Sequence, residues 1–163
     1  MESQLDHLRR RFEADAWLGK GTSVGRLSVR DLVPGGFDLA GWRAESVRHV
    51  NVEGRPPRLI SVWRDTQGGP EALLSVEIFE CDSVAEAHEF LLRMLAEFQS
   101  PQVERQTENA VGDVSFTVPG GGAVLLAYAN LVILIRSAGR EAVSATEMAR
   151  QLQRSLASRL TQQ

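Results

Sequence analysis

The sequence predicts an α+β fold: a mainly antiparallel sheet, built from a meander plus a C-terminal hairpin and covered by amphipathic helices as in an αβα sandwich. Three observations support this class. Two apolar strands lie next to each other near the C-terminus, three extended segments separated by short turns occupy the middle of the chain, and a capped amphipathic helix follows each group of strands. Strands that come in runs, each followed by a helix, favour an antiparallel sheet with helices packed on it.

Length and composition are those of one globular domain. The chain has 163 residues, of which 43% are hydrophobic and 24% are charged, so it can bury a core without disulfides or metals. We predict an N-terminal helical arm over residues 1–20 and a single α+β domain over residues 21–163. The boundary is placed near Lys20 because a glycine-containing segment, Leu18–Gly25, follows the first helix.

The first helix is predicted from Ser3 to about Trp17, with charged residues covering its outer side. Its apolar positions fall on one stripe, formed by Leu5, Leu8, Phe12 and Ala16. After the glycine-containing segment, Leu27–Val33 is predicted to be extended, because Pro34, Gly35 and Gly36 follow it.

The meander is predicted from alternating apolar residues bounded by Gly and Pro turns. Its strands are Glu45–Val52, Arg58–Asp65 and Ala72–Cys81. His49 lies in the first of them and would become a site residue if the sheet lined a cleft.

Two helices are predicted from capping boxes, in which a Ser side chain accepts the amide three residues on and a Glu reaches back. The first covers Ser83–Gln99, and the second covers Ser144–Leu160. Their buried stripes are predicted to contain Val84, Ala87, Leu91, Met94, Leu95 and Phe98 in the first helix, and Met148, Leu152, Leu156 and Leu160 in the second. His88 is predicted to lie on the solvated side of the first of these helices.

The apolar hairpin consists of Val124–Tyr128 and Leu131–Ile135, joined by Ala129 and Asn130. Asn tolerates the left-handed backbone of a tight turn, and a two-residue turn would place Tyr128 opposite Leu131. Both faces of these strands are apolar, which is typical of strands covered on two sides. One cover would be a helix, and the other a second helix, another subunit or a ligand.

The charge pattern excludes some partners. The net charge is −3, which gives no reason to expect nucleic acid or an anionic membrane, although residues 1–64 are net basic and residues 65–163 net acidic.

No apolar run would span a bilayer, so no membrane insertion is predicted. As written the chain is expected to be cytoplasmic, or to lie in the envelope or periplasm if a signal peptide has been trimmed.

No catalytic or metal-binding signature stands out. Cys81 is the only cysteine and is predicted to be a small, partly buried residue. The three histidines are far apart in sequence and none has a ligand spacing, so no metal or cofactor is predicted. Gly19–Ser23 lacks the first glycine of a phosphate-binding loop. The best candidates for ligand or partner binding are the amphipathic aromatics and the one charged residue of the hairpin region: Trp42, Trp63, Tyr128 and Arg136.

The order of elements from Leu59 to Leu160 resembles an uncharacterised group of bacterial α+β domains. The shared run is a strand ending in Trp63, the alternating strand and capped helix of Ser75–Ala87, then Val111-Gly112-Asp113, the hairpin and the closing helix. More distantly it is similar to the αβα sandwich of the photosystem accessory protein PsbP and the Ran-binding protein Mog1. That architecture also occurs in secretion chaperones and bacterial lipoproteins, and the resemblance brings no catalytic residues.

Two functions are therefore open. The first is a non-catalytic binding or accessory module, with a chaperone-like role among its options, that contacts a protein partner or a second copy as a homodimer. The alternative is a small-molecule-binding protein or enzyme with a pocket between sheet and helix that collects Trp63, Tyr128 and Arg136. An exposed apolar patch would favour the first function, and a concave cavity around those three side chains would favour the second.

Overall fold

The computed structural model describes residues 3–21, 26–32, 39–98 and 102–161, which form a seven-stranded antiparallel open sheet with helices packed on both faces. The predicted α+β class is confirmed. The strand order is β1-β2-β3-β7-β6-β5-β4. The helices are α1 (Gln4–Arg11), α2 (Val84–Glu97) and α3 (Ala145–Thr161); the strands are β1 (Trp42–Val50), β2 (Arg58–Asp65), β3 (Leu73–Glu80), β4 (Glu104–Arg105), β5 (Val114–Thr117), β6 (Ala123–Tyr128) and β7 (Leu131–Ser137); and 3₁₀ turns span Ala14–Ala16 and Val29–Asp31.

The central hairpin has the predicted register, with Tyr128 opposite Leu131 and Val124 opposite Ile135. Its turn differs from the prediction, because Ala129 takes the left-handed backbone, at φ 52°. Asn130 has another role: its side-chain amide accepts the Leu27 N–H and donates to the Leu27 and Cys81 carbonyls. The turn residue thus joins the start of the 26–32 segment to the end of β3.

The face of the sheet that packs on α3, here called the α3 face, is covered along most of its width. Helix α3 buries its predicted stripe, from Met148 to Leu160, against Val124, Leu126, Ile133 and Ile135 of the hairpin. Beside the helix, Leu27, Val29, Leu32 and Leu39 extend the same core over Leu59, Trp63, Leu74 and Ile78 of β2 and β3. The cover on this face therefore reaches from β6 to β2.

The opposite face, called the α2 face, has a narrower cover. Helix α2 packs Leu91, Leu92 and Leu95 in one core with Leu125, Ala127, Val132 and Leu134. The N-terminal segment adds Phe12 and Trp17, whose rings meet Phe116 edge-on at centroid distances of 5.4 and 5.6 Å. The second cover that the hairpin requires is thus a helix of the same chain.

The predicted Ser3–Trp17 helix is wrong in its second half. Ser3 caps α1 by accepting the Asp6 amide, but the helix ends at Arg11, and Glu13 has a left-handed φ of 55°. The break turns Ala14 and Trp17 into the core and leaves Ala16 exposed. The predicted extended segment Leu27–Val33 contains a 3₁₀ turn at Val29–Asp31 instead, and Val33–Gly36 lie outside the described residues.

The start of α2 is close to the prediction. Ser83 Oγ accepts the Glu86 amide at 3.1 Å, and the Glu86 carboxylate accepts the amide of Asp82, one residue before the cap. The buried stripe is wider than predicted, because Leu92 and His88 are also completely buried. The prediction of a solvated His88 is wrong.

The division into an arm (1–20) and a domain (21–163) stays a prediction. The described part of the arm packs on α2 and β5, and its Arg9 and Glu13 pair with Glu89 at 3.0 Å and with Arg105 at 2.8 Å. These ion pairs lie at the surface, while Phe12, Ala14 and Trp17 of the segment belong to the core formed by α2 and the sheet.

Candidate functional site

The two tryptophans predicted as binding residues lie on the α3 face. Trp63 is 4% exposed and donates its indole N–H to Ser61 Oγ at 2.9 Å. Trp42, at the start of the edge strand β1, is half-buried against the same core. Packing and the buried hydrogen bond account for Trp63 as a core residue.

Tyr128 and Arg136 lie away from Trp63. Tyr128 shares the α3 face with Trp63 but lies at the other end of the strands. The row of cross-strand partners that contains Tyr128 reaches β3 at Glu80, whereas the row that contains Trp63 passes through Leu74. Six residues of β3 separate these rows, about 20 Å of strand. Burial raises the pKa of Tyr128, and the charge of Asp113 adds to this. Arg136 is exposed on the α2 face. The three side chains therefore line no common pocket.

A cleft of about 520 Å³ lies where the 26–32 segment meets the ends of β1, β2 and β3. His49 is among its lining residues, with Arg30, Asp31, Asn51 and Glu80. Two polar side chains of the cleft, Glu80 and His49, already form contacts that hold the 26–32 segment on the sheet. Glu80 accepts the Val29 amide at 2.8 Å and an Arg26 guanidinium N–H at 3.2 Å. His49 Nε2 lies 3.1 Å from the Val29 carbonyl oxygen, which can only accept, so the ring donates there.

A second surface is formed by the β1–β3 half of the α2 face, which none of the described residues covers. Directly paired residues of neighbouring strands share a face, so the strand registers define its members. We call it the exposed sheet surface. It consists of Arg43, Ser46, Arg48 and Val50 of β1, Arg58, Ile60, Val62 and Arg64 of β2, Leu73, Ser75 and Glu77 of β3, and Arg136 of β7.

The centre of the exposed sheet surface is apolar. Ile60, Val62 and Leu73 are only half-buried, and none of them belongs to either hydrophobic core. On the other face of the same strands, Leu59, Trp63 and Leu74 are buried. Both faces of β2 and β3 therefore carry apolar residues, but the described residues cover only one of these faces.

Arginines surround this apolar centre. Glu77 lies between two of them, 3.4 Å from Arg58 and 3.7 Å from Arg136. Arg64 Nε lies 2.9 Å from Glu45 Oε1 but without the angle of a hydrogen bond. When Glu45, which lies beside Arg64, is counted with Glu77 against the five arginines, the surface carries a net charge of +3, although the chain as a whole carries −3.

Sequence reasoning missed this surface, except for Arg136. Its residues are spread from position 43 to position 136, and only the strand register brings them together. One signal was present in β2, where Arg58, Ile60, Val62 and Arg64 alternate with Leu59, Ser61 and Trp63. One face of such a strand can pack in a core, and the other face presents both charged and apolar side chains.

The remaining titratable groups that the structure perturbs are buried in the core. Burial, with weaker contributions from Glu86, Asp82 and Glu80, raises the pKa of the Cys81 thiol to about 12, which keeps it protonated and a poor nucleophile. Burial lowers the pKa of His88, against weaker opposing effects of Asp113 and the Trp17 backbone. His88 Nδ1 accepts the Gly19 amide at 2.8 Å. Within the described ranges, no group of three His, Cys, Asp or Glu side chains is placed to hold a metal ion.

Comparisons of this chain with protein-family models, with curated proteins and with solved structures find no match. The resemblance to PsbP/Mog1-like sandwiches therefore stays a prediction. Among the described residues, no helix combines the length and the apolar character needed to cross a membrane.

Proposed function

We propose that this protein is a non-catalytic protein-binding module that docks a partner on the exposed sheet surface. The observation that carries the proposal is the half-covered α2 face. Helix α2 and the N-terminal segment bury β5, β6 and β7, but Ile60, Val62 and Leu73 stay half-buried outside both cores. A sheet face with apolar residues and no described cover is the kind of patch that marks an interaction site.

The size of the exposed sheet surface suits a protein contact. Four strands and four rows of side chains span about 15 by 20 Å at ordinary strand and residue spacings. Apolar side chains in the centre with arginines at the rim follow the anatomy of protein interfaces, in which Arg is enriched. The three residues named for the alternative function, Trp63, Tyr128 and Arg136, lie at two ends and on two faces of the sheet, so their placement gives no support to a common pocket.

The proposal is tested by a matched pair of substitutions. Val62→Arg places a long charged side chain in the centre of the exposed sheet surface, and Val52→Arg makes the same change at a residue that is 50% exposed in the loop after β1. The tagged full chain is used to isolate a partner from native cell extract. The purified partner is then titrated against the wild type and both variants by calorimetry.

We expect 1:1 binding to the wild type and to Val52→Arg, and a loss of at least about tenfold for Val62→Arg, since burying an unpaired charge at an interface is strongly unfavourable. Circular dichroism and thermal melts establish that both variants are folded. Equal binding by the two variants, or a purified wild-type chain that retains no protein but carries a small molecule in native mass spectrometry, would overturn the proposal.

A further inference from the structure

We infer that the partner's contact surface is acidic, with carboxylates on both sides of a short apolar segment. This inference rests on the proposed function and names the chemistry of its partner. It is carried by the placement of the five arginines, by their incomplete neutralisation and by one cross-strand pair of like charges.

The pair of like charges lies at one end of the exposed sheet surface. Arg43 of β1 is directly opposite Arg64 of β2, and like charges in directly paired positions of an antiparallel ladder are destabilising. Glu45 lies beside Arg64, whereas Arg43 has no ion pair within the described ranges. An incoming carboxylate between the two guanidinium groups would turn this repulsion into attraction.

The other end carries Arg48 and Arg58. Arg58 pairs with Glu77, but Arg48 is exposed and, in the part of the chain that the structure describes, has no acidic partner. Arg64 and Arg58 are six residues apart on β2, which corresponds to about 20 Å of strand. Ile60 and Val62 lie between them. The surface therefore fits a partner with two acidic groups about 20 Å apart and apolar side chains between them.

A second copy of this chain is a poor occupant of the same surface. A two-fold contact between two exposed sheet surfaces would bring a net charge of +3 against the same charge, and such a contact is self-complementary only when unlike groups meet. A contact between this surface and an acidic patch elsewhere on a second copy would be head-to-tail and would not close into a dimer. A different acidic protein meets neither difficulty.

A polynucleotide fits less well than an acidic protein. Sequence-tolerant binding of single strands depends on aromatic side chains on which bases stack, and the residues of the exposed sheet surface include none. The nearest ring, Phe79, is buried beneath Arg58 and against Phe90. The centre offers aliphatic side chains instead, which suit the apolar side chains of a protein.

The inference is tested with a synthetic peptide that has two Glu at each end and alternating Leu and Val between them. About eight extended residues are enough to span the surface. The control peptide carries Lys at the four Glu positions. Each is titrated into isotopically labelled full-length protein, and amide chemical shifts are followed residue by residue.

We expect the acidic peptide to shift amides of β1, β2 and β3 and the lysine peptide to leave them unchanged. Affinity should fall by about tenfold between about 50 and 300 mM NaCl, because surface charges are screened over shorter distances at higher salt. The double variant Arg43→Gln/Arg48→Gln should weaken binding by at least about tenfold. The matched double variant Arg150→Gln/Arg154→Gln removes the same charge from α3, where both arginines lie near Glu147, and should bind as the wild type does.

Each other outcome overturns the inference. Equal binding of the lysine peptide would show that charge is not recognised. Tighter binding of a single-stranded oligonucleotide, or of anionic phospholipid vesicles, would assign the surface to another class of partner. If the acidic peptide does not bind but Val62→Arg abolishes binding of the purified partner, the surface is a docking site whose partner is not acidic. If neither experiment gives its expected result, the surface is not a docking site.

Discussion

The two halves of the α2 face have the same backbone pairing but different surroundings. Over β5, β6 and β7 the face is sealed by α2 and the N-terminal segment, and Phe116 and Val132 are completely buried there. Over β1, β2 and β3 it carries arginines around Ile60 and Val62, which stay half-buried. Among the described residues, the helical layer on this face is therefore narrower than the sheet. Under the proposed function, the uncovered half is the one that contacts a partner.

The largest expected effect is in the covered half. Phe116→Ala removes a ring that is in edge contact with Phe12 and Trp17, and deleting such a buried aromatic should lower the free energy of unfolding by about 3–5 kcal/mol. Urea denaturation followed by tryptophan fluorescence measures it. A loss below about 1 kcal/mol would mean that the N-terminal segment does not pack on β5 in solution.

The same chemical change in both halves gives a sharper comparison. Val132→Thr buries a hydroxyl in the core under α2, where Val132 is 0% exposed, and should cost about 1–3 kcal/mol. Val62→Thr keeps the branched shape on the half-buried surface and should change stability by no more than about 0.5 kcal/mol. Chemical denaturation of the two variants measures both values. If both cost the same, the two halves are equally buried in solution.

The smallest effect at neutral pH concerns His88 under the N-terminal segment. Its pKa is lowered in the folded protein, so the neutral imidazole is favoured by folding. The contribution of the neutral ring to the free energy of unfolding is therefore fully present above the unfolded pKa of about 6.5. It decreases as the pH falls from there through the lower folded pKa. Protonation would also remove the acceptor that Gly19 uses.

We therefore expect the unfolding midpoint of the wild type to fall more between about pH 7.5 and pH 5 than that of His88→Asn, which keeps an acceptor near the Nδ1 position without titrating. His7→Gln changes an exposed histidine of α1 and serves as the control. An identical pH dependence in all three proteins would show that His88 is not buried as a neutral ring.

The sequence predicts most of the sheet, because strand alternation and turn length are local properties. The hairpin register followed from a two-residue turn between apolar runs, and β2 was predicted with its observed bounds, Arg58–Asp65. The role of Asn130 did not follow. Its side-chain bonds join residues 49 and 103 positions away, and no local pattern reports such a contact.

Two of the failed predictions share one cause, which is packing by a segment distant in sequence. His88 reads as solvated from the periodicity of α2 alone, but the N-terminal segment lies against that side and buries it. The arm likewise reads as one helix, although the left-handed Glu13 redirects the chain so that Trp17 can reach Phe116. The candidate site was the least predictable part, because strand pairing between distant segments assembles its arginines.

The strand order has a consequence for how this molecule can diverge. Two meanders, β1–β3 and β4–β7, meet along the single β3–β7 pairing. Eleven of the twelve residues of the exposed sheet surface come from β1–β3, whereas the strands sandwiched between α2 and α3 come from the second meander. Under the proposed function, substitutions at outward-facing positions of residues 42–80 can therefore change partner preference without touching the strands between α2 and α3, while the opposite face of the same residues still belongs to the core.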